Sequence, residues 1–120
     1  MEKIVRDYFQ SWLVKDGAVL DEIFDENIVY VECYGPEYHG IEQIRKWFRD
    51  WNEKGSVLGW DIKRIVMQGN TIAVEWYFRY VFEGKEGDFD GVSIIEFDDR
   101  WKIVKLSEYK SVSKHYFPYS

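Results

Sequence analysis

Cysteine, histidine and long apolar runs are all scarce in this sequence. Its 120 residues include a single cysteine, Cys33, which excludes an internal disulfide framework. The two histidines, His39 and His115, do not lie at ligand spacing with a cysteine or carboxylate on the same element, so we predict no metal site. No apolar run approaches the length of about 18 residues that a membrane helix needs, and the first residues form an amphipathic pattern instead of a signal segment. We therefore expect a cytoplasmic protein with no membrane partner.

Positive charge is also in short supply. Sixteen Lys and Arg residues stand against 22 Asp and Glu residues, which gives a formal net charge of −6. The basic residues are scattered, whereas nucleic-acid binding depends on clustered Lys and Arg. The sequence also has no phosphate-binding loop, dinucleotide fingerprint or Gly-Xaa-Ser-Xaa-Gly elbow. These features argue against a nucleic-acid partner, and we expect no cofactor.

Aromatic residues, by contrast, are abundant. Six Trp, nine Tyr and eight Phe make up 19% of the chain, and apolar residues of all kinds reach 46%. This apolar content is enough for the core of one compact domain, which we place at residues 1–110. So many large rings exceed what such a core requires, and the surplus indicates a cavity lining or an interface.

The most regular pattern is the alternation of large apolar residues over residues 71–82. Trp76, Phe78 and Tyr80 share one side with Ile72 and Val74, as in a strand that has one buried face. Glycines follow at positions 84 and 87, so we predict a turn there, then a second strand over 91–97 and a third over 101–109. These three strands are expected to run antiparallel and to build the wall of a cavity.

The first half of the sequence predicts three helices and two further strands. Helical spacing of apolar residues covers 2–15, a short stretch near 19–24, and 41–51. Strand patterns cover 28–34 and 57–67. The order indicates an α+β fold in which the helices cover the concave face of a strongly bent antiparallel sheet. Such a sheet cannot fill its own concave side, which leaves an internal pocket.

The chain resembles the nuclear transport factor 2-like superfamily, within it the SnoaL-like and ketosteroid-isomerase-like branch. The residues that carry the resemblance are 8–12 before Asp16, 20–24 before Asp25-Glu26, Gly40-Ile41 before the third helix, and 91–97 before an Asp-rich turn. The resemblance implies a cone-like fold with a mixed edge to the sheet. The superfamily includes isomerases, polyketide cyclase-like proteins, dehydratases and hydrolases, and also domains that only bind partners, so the fold does not give the function.

The resemblance also implies three catalytic candidates. Tyr8 corresponds to a tyrosine of the first helix that donates to an oxyanion, and Glu32 to a carboxylate base near the end of the first strand. Ser93 stands where the isomerases have a protonated aspartic acid, so steroid isomerisation is not expected. Strand alternation independently places Glu32 on the apolar side with Tyr30, where burial would raise its pKa toward the range useful for proton abstraction.

Seven further residues are candidates for ligand contact because the predicted faces bring them toward the cavity. They are Tyr30, Trp12, Trp76, Phe78, Tyr80, Ile95 and Tyr109. Two orientations remain open at this stage. A shift of one residue in the 71–82 strand would turn Tyr77 and Arg79 inward instead. Tyr109 has an ambiguous direction, since Val104 and Leu106 compete with Ile103 for the inward face.

The end of the sequence is rich in exposed-type aromatics. Tyr116, Phe117 and Tyr119 lie in a tail over 111–120, which we expect to pack on the same domain or on a dimer partner. A homodimer through the outer face of the sheet, near Tyr77 and Val81, follows from the resemblance. The expected function is that of a pocket for a small apolar or aromatic ligand, with cofactor-free isomerase, cyclase or dehydratase chemistry. The alternative is a non-catalytic ligand-binding or dimeric interaction module.

Overall fold

A computed structural model describes residues 1–119 and has the expected α+β architecture. Three helices pack against one open, six-stranded mixed sheet, which confirms the predicted fold class. The elements in chain order are α1 (Glu2–Val14), α2 (Leu20–Ile23), β1 (Phe24–Val31), β2 (Glu37–His39), α3 (Ile41–Lys54), β3 (Gly55–Gln68), β4 (Thr71–Phe82), β5 (Lys85–Phe97) and β6 (Ile103–Ser111).

The sheet has the strand order β2-β1-β6-β5-β4-β3. Strands β3 to β6 pair with their sequence neighbours in antiparallel fashion, whereas β1 pairs with β6 in parallel. The first strand is therefore joined edge to edge with the last one. This mixed edge matters for function because it brings two distant parts of the sequence to one end of the concave face.

The inward face of β4 is the one with Trp76 and Phe78, both of which are buried together with Ile72 and Val74. Arg79 is exposed, so the alternative orientation of this strand is wrong. Gly91 lies directly opposite Trp76 on β5, and a Cβ there would overlap the indole ring. The missing side chain at position 91 thus makes the room in which Trp76 lies flat against the sheet.

Two helices provide the cover for the concave face. Helix α1 buries Val5, Tyr8, Phe9 and Trp12, and α3 buries Ile41, Ile44 and Phe48. These positions recur at the three- and four-residue spacing that makes one apolar stripe on a helix. Helix α1 ends at Val14, and the left-handed conformation of the following Lys15 (φ 57°) lets the N–H of Asp16 donate to the carbonyl of Ser11.

Most element boundaries differ by a few residues from the sequence predictions; β1, for example, spans Phe24–Val31 instead of 28–34. Helix α2 has only four residues, and Phe24 already belongs to β1. The three-residue strand β2 was not predicted, because so short a strand carries no periodic signal. Strand β5 begins at Lys85, six residues before the predicted start at Gly91. Gly87 was predicted to lie in the turn, but it lies inside the strand beneath the Tyr80 ring of β4, as Gly91 lies beneath the Trp76 ring.

A bulge in β6 reverses the facing of its second half. Glu96 pairs with Lys105 while its neighbour Phe97 pairs with Ile103, so Val104 is an extra residue in the ladder. After it, Leu106 and Glu108 face the core, and Tyr109 is 62% exposed on the outer side. This corrects the expectation that Tyr109 contributes to the cavity, since a shift of one residue changes the face of every side chain that follows.

The segment after β6 carries exposed rings. Tyr116, Phe117 and Tyr119 are all more than four-fifths exposed, and Phe117 reaches 94%. Ser120, the last residue of the predicted tail, lies outside the described residues. Within 1–119, no helix combines the length and the apolar character that a membrane crossing requires.

Candidate functional site

The concave face of the sheet and helices α1 and α3 enclose an aromatic inner cavity. It offers about 40 Å³ to the centres of water-sized groups. The residues around it are Trp12, Tyr30, Glu32, Cys33, Tyr34, Trp47, Trp51, Val57, Trp60, Trp76, Phe78, Phe89 and Glu108. Apart from the two glutamates, almost all of this wall is aromatic.

A larger outer cleft adjoins the inner cavity and offers about 390 Å³ by the same measure. Its own wall consists of Tyr38, Asp50, Lys54, Tyr80 and Phe82. Four residues line both spaces: Glu32, Tyr34, Trp47 and Trp51. Glu32 therefore stands at the junction of a narrow inner chamber and a wide outer one.

Glu32 is held at this junction by the tight turn that follows β1. Its backbone N–H donates to the carbonyl of Pro36, and its own carbonyl accepts from Gly35. The Tyr38 hydroxyl donates to its carboxylate at 2.7 Å. Burial raises the pKa of Glu32 above its ordinary value of 4.5, and the Tyr38 hydrogen bond works against this rise because it favours the charged form.

Glu108 is a second carboxyl at the inner cavity, supplied by β6. The Tyr30 hydroxyl donates to it at 2.5 Å. Burial raises the pKa of Glu108 to about 8, and the negative charge of Glu32 adds to the rise. At neutral pH the group is therefore largely a neutral acid with a proton to give.

Burial raises the pKa of both carboxyls within one aromatic pocket, but the Tyr38 hydrogen bond opposes the rise at Glu32, whereas the pKa of Glu108 reaches about 8. Glu32 accepts a hydrogen bond that favours its ionised form, whereas Glu108 lies deeper and keeps its proton. Pairs of titratable groups with such different surroundings are typical of sites where one acts as base and the other as acid. The arrangement can remove a proton from one atom of a ligand and give a proton to another.

The structure places the predicted site residues in four positions: the inner cavity, the outer cleft, the core behind the cavity wall and, for Tyr109, the exposed outer side of the sheet. Trp12, Tyr30, Glu32, Trp76 and Phe78 line the inner cavity, and Tyr80 lines the outer cleft.

Three other predicted residues are buried behind the wall. Tyr8 donates its hydroxyl hydrogen bond to Tyr30 at 2.7 Å, Ser93 accepts one from the Trp76 indole at 2.9 Å, and Ile95 is fully buried in the core. None of the three lines either space. The roles proposed for Tyr8 and Ser93 in direct ligand contact therefore lack a geometric basis in this conformation.

Eight of the thirteen residues that line the inner cavity were not among the predicted site residues, and Glu108 and Trp60 are two of them. Glu108 was missed because the β6 bulge hides its direction. Trp60 lies on β3, where two register shifts interrupt the alternation that would have shown which way it faces. The only available signal for Glu108 was a carboxylate two residues beyond an apolar Leu106 on the same strand. No group of three or more metal-ligating side chains comes together among the described residues.

The chain is similar in fold to several solved structures. A SnoaL-like polyketide cyclase from Mesorhizobium loti is 22% identical with a TM-score of 0.72, over 90% of this chain and 97% of that one. A protein of ketosteroid isomerase-like fold from Catenulispora acidiphila, in complex with trimethylamine, is 19% identical with a TM-score of 0.80, over 92% and 86%. An LEH-like epoxide hydrolase from M. tuberculosis is 16% identical with a TM-score of 0.80, over 91% and 80%. At these identities the likeness shows the fold alone.

Sequence comparison gives the family signal. The family model of the SnoaL-like domain matches residues 5–106, a range that includes Glu32 and ends two residues before Glu108. A search of the curated proteins found no match.

Proposed function

Because the chain belongs to the SnoaL-like domain family, we propose that it binds a small, largely apolar molecule with a carbonyl group and moves a proton beside that group. The reaction class is cofactor-independent isomerisation, cyclisation or dehydration. The observation that carries this proposal is the pair of glutamates at one aromatic cavity, with the pKa of Glu108 raised to about 8 and Glu32 hydrogen-bonded in a way that favours its ionised form.

In the proposed step, Glu32 takes a proton from the carbon next to the carbonyl. The electron pair of that C–H bond forms a carbon–carbon double bond, and the carbonyl oxygen receives the proton of Glu108. Return of a proton to another atom, ring closure or loss of a hydroxyl completes the reaction. Glu108 thereby takes the role that the sequence assigned to Tyr8, because a preorganised proton donor stabilises the developing negative charge on oxygen.

Proton exchange provides a direct test. Acetophenone is incubated with the protein in D₂O, and the loss of its methyl proton signal is followed by NMR. We expect exchange above background, reduced by roughly 10²- to 10⁴-fold in Glu32→Gln, the range for loss of a general base. Glu75→Gln is the matched control, since Glu75 lies on β4 with its side chain 42% exposed. Exchange at the same rate in Glu32→Gln and the native chain would refute the proposal.

Binding without catalysis is the second candidate, with a small organic cation as the ligand. The supporting observation is that Lys110 holds its ammonium group 4.6 Å from the ring centre of Tyr34 and 5.3 Å from that of Phe89, two rings of the inner wall. Such rings attract cations through their faces. The relative from Catenulispora acidiphila was solved with trimethylamine. Saturable binding of trimethylamine together with no proton exchange on any ketone would favour this candidate.

The proposal includes assembly as a homodimer through the outer face of the sheet, in the cytoplasm. The exposed rings of Tyr116, Phe117 and Tyr119 support a partner surface, since such rings are costly in water unless covered. Light scattering on the full chain and on a chain lacking residues 113–120 tests it. A monomer in both cases would contradict the dimer, and an unchanged melting temperature and mass after the deletion would contradict a packing role for the tail.

A further inference from the structure

The indole N–H of Trp60 is a buried hydrogen-bond donor without an acceptor. Trp60 lines the inner cavity, is only 8% exposed, and its Nε1 has no partner among the described residues. Leaving a buried donor unpaired is unfavourable, so such groups are rare and call for an explanation. Trp76, in the same wall, shows the ordinary situation, because its N–H donates to Ser93.

The Trp60 ring is fixed in place by other rings. It stacks on Phe9 with centroids 3.8 Å apart and planes 5° from parallel, and it meets Trp76 and Phe78 edge to face. A ring held this firmly presents its N–H in one direction, as a preorganised donor does. The N–H of Trp12 also lacks a well-aligned acceptor among the described residues, although it lies near the Tyr8 hydroxyl; burial raises the pKa of that hydroxyl, and the Trp12 contact opposes the rise. Among the described residues, Trp60 is therefore a fixed ring of the cavity wall whose N–H has no hydrogen-bond partner.

The two connected spaces restrict the shape of that ligand. The inner cavity, at about 40 Å³, is much smaller than the roughly 150 Å³ of a cavity that binds benzene, so it suits an acetyl-sized end group better than a ring. The outer cleft is about ten times larger, and Tyr38 stacks on Trp47 in its wall with planes 18° apart. A flat aromatic body can pack against rings of this kind. Glu32 lines both spaces, so it stands where the end group and the flat body of such a ligand would meet.

We infer that the ligand carries a compact acetyl-sized end group whose oxygen accepts a hydrogen bond from Trp60, and that its flat apolar body lies in the outer cleft. This inference rests on the proposed function for the choice of a carbonyl compound, and it adds the anchoring residue and the shape of the substrate. An indole N–H donates only. A ligand that offers no acceptor, such as an amine cation or a hydrocarbon, gains nothing from it.

The test uses two probes of the same shape. Acetophenone has a carbonyl where α-methylstyrene has a CH₂ group, so the two differ mainly in the acceptor. With ¹⁵N-labelled full-length protein, we expect the Trp60 indole N–H resonance to move downfield with acetophenone and to stay nearly unchanged with α-methylstyrene. The resonance is assigned by its disappearance in Trp60→Phe or, if that variant does not fold, by its nuclear Overhauser contacts to the Phe9 ring.

Affinities give the second measurement. Trp60→Phe should weaken acetophenone about 5- to 10-fold more than α-methylstyrene, the usual worth of one hydrogen bond. Trp76→Phe, which removes an N–H already bonded to Ser93, should affect both probes equally. The inference would be overturned if the Trp60 resonance responded equally to the two probes or if Trp60→Phe weakened the binding of both equally. It would also be overturned if acetophenone showed no saturable binding. Because binding is read without turnover, proton exchange can succeed or fail independently of this result.

Discussion

Tyr30 donates its hydroxyl hydrogen bond to Glu108 across the parallel pairing of β1 and β6, and these residues are 78 positions apart in the sequence. Tyr8 in turn donates to Tyr30. The hydroxyl of Tyr8, which the family resemblance places in contact with the ligand, therefore donates to a residue of the cavity wall instead. The acidic group that faces the cavity is a carboxyl, and the two tyrosines fix its position.

The ionisation of Glu108 should make stability depend on pH. In the folded chain Glu108 keeps its proton up to about pH 8, whereas an exposed glutamate loses it near 4.5. Between these values the folded state binds more protons than the unfolded state, so the free energy of unfolding falls as the pH rises and levels off above 8. The expected fall is on the order of a few kcal/mol.

Urea unfolding at a series of pH values measures this fall. Glu108→Gln keeps the shape and cannot ionise, so it should flatten the curve between pH 5 and 8, about the window set by the two pKa values. Glu75→Gln should leave the slope as it is. A slope that persists in Glu108→Gln would show that Glu108 is not the group responsible.

Tyr38→Phe should shift the acid side of the proton-exchange profile to higher pH. The lost hydrogen bond is the one that favours ionised Glu32, so the pKa of Glu32 should rise further above 4.5. The alkaline side reports Glu108 near pH 8 and should not move, because Tyr30 still donates to it. Carboxyl ¹³C shifts of Glu32 give an independent reading. If Tyr38→Phe shifts both the acid side and the alkaline side of the pH profile, Glu32 is not the base that the profile reports.

Tyr8→Phe should cost stability and leave ligand binding intact. The Tyr8 hydroxyl donates to Tyr30 inside the core, and loss of one such bond costs about 1 kcal/mol. Neither space is lined by Tyr8, so the acetophenone dissociation constant should stay the same. Tyr77→Phe, which removes a bond from an outer-face phenol to Asp88, provides a comparison with a smaller expected cost. A large loss of affinity in Tyr8→Phe would restore Tyr8 as a ligand contact.

Gly91→Ala should narrow the inner cavity. The added methyl group meets the buried Trp76 ring, which can yield only toward the cavity that it lines. Overpacking of this kind typically costs about 1–3 kcal/mol, and acetophenone affinity should fall with it. Gly87→Ala meets the far end of the Tyr80 side chain at the outer cleft, where there is more room. Urea unfolding and acetophenone titration of both variants measure the losses of stability and of affinity. Both losses should be larger for Gly91→Ala than for Gly87→Ala.

The predictability of this protein from its sequence varied with the length and regularity of each pattern. Strand β4 has the predicted bounds, 71–82, because twelve residues alternate without interruption. Glu32 lies inward as the alternation of β1 indicated. Glu108 could not be placed, because the extra residue at Val104 is invisible in a pattern that assumes strict alternation. A bulge depends on pairing with neighbouring strands and has no signature within its own strand.

The hydrogen-bond partners of buried hydroxyl groups could not be predicted from the sequence either. Tyr8 was correctly expected on the buried side of α1, but its hydroxyl could have reached a ligand or another side chain. The choice depends on Tyr30, which lies 22 residues away on another element. Helical spacing fixes which way a residue faces and does not fix what its last atom touches.

The parallel pairing of β1 with β6 has a consequence for protein synthesis. A ribosome makes the strand that leads to Glu32 early and the strand that holds Glu108 late, so the two cannot meet until β6 has emerged. Contacts between such distant segments are the slow ones in folding. A nascent chain that stops before β6 would expose an unpaired edge of β1, and it would carry the base of the proposed reaction without its acid.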